Sequence, residues 1–228
     1  MPDRRRVVTA GLCSLLALCA PIRAHAMQRA IAASTPPVSD QQRPSNGRIL
    51  VIGDSLSAEY GLPRDSGWVA RIAERLRAED TGYQIHNASI SGDTSSGGLS
   101  RLPAELQRIQ PDIVIIELGA NDALRGLPLD ATRQNLAQMI RLVQDNGAAA
   151  VLAGMQIPPN YGPRYAQAFA DIFPELADTY QTTLIPFLLD GFADRPDMFL
   201  DDGIHPNKAA QPIIAETVWE HLTPLLFQ

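Results

Sequence analysis

The chain has 228 residues, with 19 basic and 25 acidic side chains, four histidines and a formal net charge of −6. This length and the 45% apolar content are typical of one globular domain with a sizeable core, and they exclude a disordered or collagen-like chain. The acidic balance argues against a nucleic-acid partner, which would require a basic surface. Lys208 is the only lysine and does not follow a glycine, which excludes a phosphate-binding loop of the GxxxxGKS/T type.

The first 26 residues are predicted to be a secretory signal peptide. Residues 4–6 are arginines, residues 7–20 are uncharged and mainly apolar, and residues 24–26 (Ala-His-Ala) form a small-x-small cleavage site. The apolar stretch is shorter than the roughly 20 residues that span a bilayer, so no stable membrane anchor is expected. We therefore expect export to the periplasm, with an extracellular destination as the alternative. The paired arginines leave the ordinary secretory and twin-arginine routes both open.

Removal of this peptide changes the chemistry available to the chain. Four of the 19 basic and one of the 25 acidic residues precede position 27, so the formal net charge of the mature chain becomes −9. Cys13 and Cys19 are also lost, which excludes disulfides, thiol catalysis and a cysteine-ligated metal in the mature protein. Residues 27–46 are rich in Ala, Ser, Pro and Gln without periodicity and are predicted to form a flexible lead before the folded domain at residues 47–228.

Within this domain, short apolar runs alternate with segments of helical periodicity. In chain order, the first half contains a strand at residues 48–52, a helix over Trp68, Val69, Ile72 and Leu76, a strand at 84–88, a helix over Leu99, Leu102, Leu106 and Ile109, and a strand at 112–118. The second half contains a helix over Leu136, Met139, Ile140 and Val143, a strand at 149–155, a helix over Tyr165, Phe169, Ile172, Phe173, Leu176 and Tyr180, a strand at 183–185, and a helix over Ile214, Val218, Leu222 and Leu225. This alternation predicts an α/β fold whose five-stranded parallel sheet is covered on both faces. Ligands bind such sheets at the carboxyl ends of the strands, so the residues that follow each strand are the candidates for a site.

The first strand is followed by Ser55, within the sequence GDSLS at residues 53–57. A serine in this position is able to present its hydroxyl group at the rim of the sheet as a nucleophile. The alternative is that Ser55 only caps the following helix, as serine often does. The G-x-S-x-G nucleophile elbow is not present, because its last position is occupied by Ser57.

Two further strands end in residues suited to donating hydrogen bonds. Gly92 lies in SGDTS at residues 91–95, and its backbone N–H is not covered by a side chain. Asn121 lies in GAND at residues 119–122, where its side-chain amide is able to point into the crevice. Each is, taken alone, more typical of a turn.

The histidines narrow the choice of a catalytic base to His205. His86 lies inside a predicted strand, and His221 lies on the last helix with the pattern of a solvated residue. His205 follows Asp202 by three positions, a spacing at which a carboxylate reaches the imidazole Nδ1 and fixes the tautomer. Spacing alone leaves Asp201 open as the orienting acid, and a metal-ligand pair or a helix cap as other interpretations.

Together these residues fill every role of acyl transfer. Ser55 is the candidate nucleophile, His205 the base and Asp202 the orienting acid. The backbone N–H groups of Ser55 and Gly92, with the Asn121 amide, are the candidate oxyanion donors.

The same four segments, with DGIHPN at residues 202–207 as the last, resemble the four blocks of the SGNH (GDSL-type) hydrolases from about residue 48 to the C-terminus. Residues 87–103, 117–126, 157–165 and 201–212 further resemble the periplasmic thioesterase I/lysophospholipase/arylesterase group of that family. The resemblance implies a flavodoxin-like three-layer α/β/α sandwich and a loop over the acyl site at residues 157–165. Two residues depart from the pattern: Ala120 replaces a glycine, and Glu59 adds a charge that we expect near the entrance, disfavouring acidic leaving groups.

From this resemblance we expect a catalytic domain that hydrolyses esters and thioesters of acyl chains through a Ser-His-Asp triad and an acyl-enzyme, with no metal or organic cofactor. The expected partner is a small ester, a thioester or a lysophospholipid, and the expected state is a monomer. A carbohydrate O-acetyl esterase is the alternative activity, and a non-catalytic lipid- or glycan-binding relative is the alternative from another class.

Overall fold

The computed structural model describes residues 47–227. The predicted signal peptide (residues 1–26) and lead (residues 27–46) lie outside the described residues. The strands are β1 Gly47–Gly53, β2 Tyr83–Asn87, β3 Ile113–Glu117, β4 Ala149–Ala153 and β5 Thr183–Ile185. The α-helices are α1 Trp68–Ala78, α2 Ser95–Ile109, α3 Ala120–Leu124, α4 Leu129–Asp145, α5 Pro163–Tyr180 and α6 Gln211–Leu226.

The five strands form one parallel sheet in the order β2-β1-β3-β4-β5. Helix α1 packs with α6, and α2, α4 and α5 pack side by side as a second layer. This is the flavodoxin-like three-layer sandwich, and the predicted fold class is confirmed.

Burial explains why the strands are easy to recognise in the sequence. Ile49, Leu50, Val51 and Ile52 of β1 and Val114, Ile115 and Ile116 of β3 have no exposed surface. A central parallel strand is covered by helices on both faces, so its residues form a continuous apolar run and do not alternate. Each observed strand lies within two residues of its predicted bounds.

The structure differs from the prediction around two helices. The short helix α3 was not predicted, because Gly119 before it and Asn121 and Asp122 in its first turn favour loops. Helix α2 begins four residues before Leu99, where Thr94 accepts a hydrogen bond from the backbone N–H of Gly97 and caps the helix.

The strand order places a crevice at one end of the sheet. The chain leaves β1 toward one edge and later continues from β3 toward the other, so the carboxyl ends of these adjacent strands form a topological switch point. Ser55 follows β1 and Asn121 follows β3 at this point. Among residues 47–227, no helix is both long enough and apolar enough to cross a membrane.

Candidate active site

Three of the predicted site residues form one chain of hydrogen bonds. The Oγ of Ser55 lies 2.9 Å from Nε2 of His205, and Nδ1 of the same ring lies 2.8 Å from Oδ2 of Asp202. The hydrogen bond between Ser55 and His205 joins residues that are 150 positions apart in the chain. Ser55 is 9% exposed, so most of the residue is enclosed by the protein.

The structure selects between the two candidate acids beside His205. Asp202, and not Asp201, contacts the ring, and its Oδ1 also accepts the backbone N–H groups of Ile204 and His205 at 2.9 Å each. The pKa of Asp202 is lowered to about 2, first by the backbone N–H of His205 and then by that of Ile204, against partial desolvation. The carboxylate is therefore ionised over the whole range in which imidazole titrates.

The ring of His205 also contacts the ring of Tyr60. The two ring centroids lie 4.3 Å apart with an interplanar angle of 38°. Tyr60 is 50% exposed, so it contacts both the imidazole and solvent. Aromatic contact of this kind limits the rotation of His205 away from Ser55.

Asn121 is held against the residue that precedes Ser55. Its Nδ2 donates a hydrogen bond to Oδ2 of Asp54 at 2.9 Å, and Oδ1 of Asp54 accepts the N–H of Leu56 at 3.0 Å. One amide proton of Asn121 is thereby fixed, which leaves the second proton for another acceptor.

Gly92 is positioned by contacts on both sides of it. Ile90 donates its N–H to the carbonyl oxygen of Gly53 at 3.0 Å, and Arg125 Nη2 donates to the carbonyl oxygen of Gly92 at 2.8 Å. Gly92 has a φ of 78°, which only glycine adopts without strain. Within the described part of the chain, neither Gly92 nor Ser55 donates its backbone N–H to an acceptor.

Arg101 links the carboxyl ends of β1 and β2. It donates hydrogen bonds to the carbonyl oxygens of Gly53 (3.2 Å) and Ala88, and its Nε pairs with Asp93 at 2.8 Å. This guanidinium group fixes the carboxyl end of β1 relative to that of β2, and so the segments that carry Ser55 and Gly92.

The sequence did not predict that two carboxyl groups near the nucleophile, those of Asp54 and Glu117, are buried. Glu117, at the end of β3, has no exposed surface, and Asp54 is 1% exposed. Burial raises the pKa of Asp54 to about 6, and burial followed by the charge of Asp54 raises the pKa of Glu117 well above its ordinary value. The signal available in the sequence was the acidic residue Glu117 between the apolar residues 113–116 and Leu118.

The remaining candidates lie elsewhere. His221 on α6 hydrogen-bonds the carbonyl oxygen of Thr217 and is half-buried, so the expectation of a solvated side chain was only partly right. His86 lies within the edge strand β2. No group of three or more His, Asp or Glu side chains in residues 47–227 is arranged to hold a metal ion.

The carboxylate of Glu59 accepts hydrogen bonds within its own loop. Its carboxylate accepts the N–H groups of Asp65 at 2.9 Å and of Gly67 at 2.7 Å. Gly67 precedes α1, so this contact closes the loop between Tyr60 and that helix. The charge that we expected near the entrance is therefore engaged by two backbone donors.

The chain is similar in sequence to known ester hydrolases. The chain is 50% identical over 178 residues to the esterase TesA of Pseudomonas aeruginosa, covering 78% of this chain and 89% of that protein. It is 46% identical over 175 residues to an arylesterase of Vibrio mimicus, covering 77% and 88% of the two chains. It is 42% identical over 178 residues to the thioesterase 1/protease 1/lysophospholipase L1 of Escherichia coli, covering 78% and 84%.

A crystal structure of TesA superimposes with a TM-score of 0.76 at 49% sequence identity, covering 78% of this chain and 99% of that one. A model of the GDSL-like lipase/acylhydrolase family matches residues 51–212. By this match, and by its identity with esterases along most of their length, the chain belongs to the GDSL-like lipase/acylhydrolase family and is an ester hydrolase.

Proposed function

We propose that this chain is an exported serine esterase that hydrolyses carboxylic esters and thioesters of acyl chains through Ser55, His205 and Asp202. The observation that carries the proposal is the hydrogen-bonded order Asp202–His205–Ser55 at the carboxyl end of β1. A nucleophile, a base within hydrogen-bond reach and an acid that orients the base are the parts that acyl transfer requires.

In the acylation step, Ser55 Oγ attacks the acyl carbon while His205 Nε2 accepts its proton. Asp202 accepts a hydrogen bond from Nδ1–H and stabilises the imidazolium that forms. The bond to the leaving group then breaks, and His205 donates the proton to the departing alcohol or thiol. An acyl group remains as an ester on Ser55.

In the deacylation step, water takes the place of the leaving group. The water oxygen attacks the acyl-Ser55 ester while His205 accepts one proton from the water. His205 then returns that proton to Ser55 Oγ as the carboxylic acid is released. This restores the starting protonation of both residues, so no cofactor is consumed.

In both steps, negative charge develops on the former carbonyl oxygen. The backbone N–H groups of Ser55 and Gly92 and the second amide proton of Asn121 are the donors that we assign to it. Because two of these are backbone groups without another acceptor in the described chain, they are available to the oxyanion at no cost in broken bonds.

Acyl chains are the substrate class that the surroundings of the site favour. Four large apolar side chains that lie within six positions of a site residue in the sequence are exposed, namely Tyr60, Ile90, Leu127 and Ile204. Such side chains suit a hydrocarbon chain better than a sugar ring, whose hydroxyl groups need polar partners. The names of the relatives, an arylesterase and a thioesterase/lysophospholipase, support esters and thioesters as the bonds that are cleaved.

The test is hydrolysis of p-nitrophenyl esters and acyl thioesters of increasing chain length by wild-type protein and Ser55→Ala. We expect turnover that increases beyond the acetyl ester, and its loss in Ser55→Ala. Preference for acetylated oligosaccharides over every acyl ester would instead indicate the O-acetyl esterase. Absence of turnover on all substrates would indicate a binding protein and refute the proposal.

A further inference from the structure

Glu117 is a fully buried acidic side chain that takes no part in the proposed reaction steps. It pairs with Gly53 in the register of β3 and β1, and its Oε2 accepts hydrogen bonds from Ser57 Oγ (2.7 Å) and from the N–H of Asp54 (3.2 Å). These two donors lie on either side of Ser55 in the chain. The carboxyl group of Glu117 therefore holds the turn that presents the nucleophile.

The Glu117 carboxyl group lies close to the backbone at position 53. A Cβ on Gly53 would lie 2.7 Å from Glu117 Oε2 and 2.8 Å from Ser57 Oγ. A side chain at this position would therefore displace the Glu117 carboxyl group or the Ser57 hydroxyl group from the turn.

The two oxygens of Glu117 have different surroundings. Oε2 accepts two hydrogen bonds, whereas Oε1 is buried without a hydrogen-bond partner among residues 47–227. An ionised carboxylate would spread its charge over both oxygens and leave part of it unsolvated at Oε1, at a large cost in free energy. A protonated carboxyl group accepts through one oxygen and leaves only an uncharged hydroxyl at the other, which costs far less.

Asp54 has the opposite surroundings. Each of its oxygens accepts one N–H, from Leu56 and from the amide of Asn121, and donors on both oxygens favour the ionised form. Burial has the largest effect on the pKa of Asp54 and raises it to about 6; the charge of His205 lowers this pKa, while Asp93, which is itself paired with Arg101, raises it. Both carboxyl groups are buried, and the charge of Asp54 raises the pKa of Glu117 further after burial has raised it. Two buried carboxyl groups that interact in this way do not both ionise readily, so one proton belongs to the pair.

We propose that Glu117 carries this proton at neutral pH and acts as a neutral positioning residue, which holds the Ser55 turn and leaves Asp54 ionised as the acceptor for the Asn121 amide. The inference rests on the proposed function, because it assigns Asn121 to the oxyanion. A proton moved to Asp54 would turn one of its oxygens into a donor and weaken its bond with Asn121.

The first test compares Glu117→Gln with Glu117→Ala and with Ile115→Ala. Gln is neutral and keeps an oxygen for Ser57 and Asp54, so we expect kcat within about threefold of wild type. Ala removes the support of the oxyanion donors, and we expect kcat to fall on the order of tenfold or more with little change in KM. Ile115 is a fully buried neighbour on the same face of β3, so its variant controls for loss of packing and should keep kcat.

Loss of activity in Glu117→Gln equal to that in Glu117→Ala would overturn the inference, because the ionised group would then be needed. Wild-type kcat in Glu117→Ala would overturn it as well. Ser55→Ala is measured on the same substrate: if that variant retains wild-type activity, the proposed function itself fails. An inactive Ser55→Ala beside a contrary result at Glu117 refutes only the present inference.

The second test uses stability and does not depend on activity. A carboxyl group whose pKa is higher in the fold than in the unfolded chain takes up a proton on folding at pH 8, so its contribution to stability declines as pH rises. Gln needs no proton, and near pH 4 the unfolded Glu117 is itself largely protonated. We expect the melting temperature of Glu117→Gln, relative to wild type, to be several degrees higher at pH 8 than at pH 4. A difference that does not change with pH, or that changes in the opposite direction, would overturn the inference.

Discussion

His205 is useful as a base only if its ring is held in one tautomer, and this depends on a single carboxylate. Asp202 accepts hydrogen bonds from the ring Nδ1 and from two backbone N–H groups of the same loop. The backbone N–H groups fix the orientation of the carboxylate, and the carboxylate fixes the orientation of the ring. The neighbouring Asp201 is exposed, makes none of these contacts and provides a control with the same charge one position away.

Asp202→Asn should lower kcat by about 10³- to 10⁴-fold, because an amide at this position favours the wrong tautomer of His205. Asp201→Asn should leave kcat unchanged. Steady-state kinetics of both variants on one p-nitrophenyl ester checks this prediction. Equal losses in the two variants would mean that charge near the site matters and that orientation of His205 does not.

The pH dependence of the rate follows from Asp54. Burial raises its pKa to about 6, and it is the proposed acceptor for the Asn121 amide only when ionised. Because this carboxylate forms as pH rises, kcat/KM should increase from pH 5 to pH 8. Asp202, with its pKa of about 2, adds no step in this range. A kcat/KM that decreases between pH 5 and pH 8 would contradict the assignment of ionised Asp54 as the acceptor for Asn121.

Among the larger elements, the loop that joins the nucleophile turn to α1 is held by one side chain. Glu59 has a φ of 59° and uses its carboxylate to accept the N–H groups of Asp65 and Gly67. The same loop carries Tyr60 against His205. The order of this loop therefore supports both the start of α1 and the position of the catalytic ring.

Glu59→Ala should lower the free energy of unfolding by about 1–2 kcal/mol, because two backbone N–H groups lose a charged acceptor. Glu59→Gln keeps one acceptor oxygen and should lose less. Urea denaturation of the three proteins measures the difference. Equal unfolding midpoints for wild type and Glu59→Ala would show that the loop does not depend on this contact.

The elements themselves were largely predictable, whereas contacts across the sheet were not. Strand β5 was predicted to the residue and the other strands to within two, since buried parallel strands appear as continuous apolar runs. The four blocks that carry Ser55, Gly92, Asn121 and His205 were recognisable from spacing and residue type. The contact of Asp54 with Glu117, 63 positions apart, depends on the register of β1 with β3, which no local pattern specifies.

At the level of the whole molecule, we propose that the enzyme works outside the cytoplasm. The basic start, the apolar stretch and the Ala-His-Ala site support removal of residues 1–26. Protein recovered from the periplasm should begin at Met27 and lack Cys13 and Cys19, as its intact mass and N-terminal peptide would show. Full-length protein confined to the cytoplasm or to the membrane would refute the proposed export.

The central claim is that Ser55 is the nucleophile, activated by His205. Its most direct test is the mass of the protein after reaction with a fluorophosphonate, which forms a stable adduct on an activated serine. We predict one adduct per chain on the peptide that contains Ser55, absent from Ser55→Ala and strongly slowed in a His205→Ala variant. An unmodified wild-type protein that still hydrolyses esters, or an adduct on another residue, would contradict the proposed mechanism.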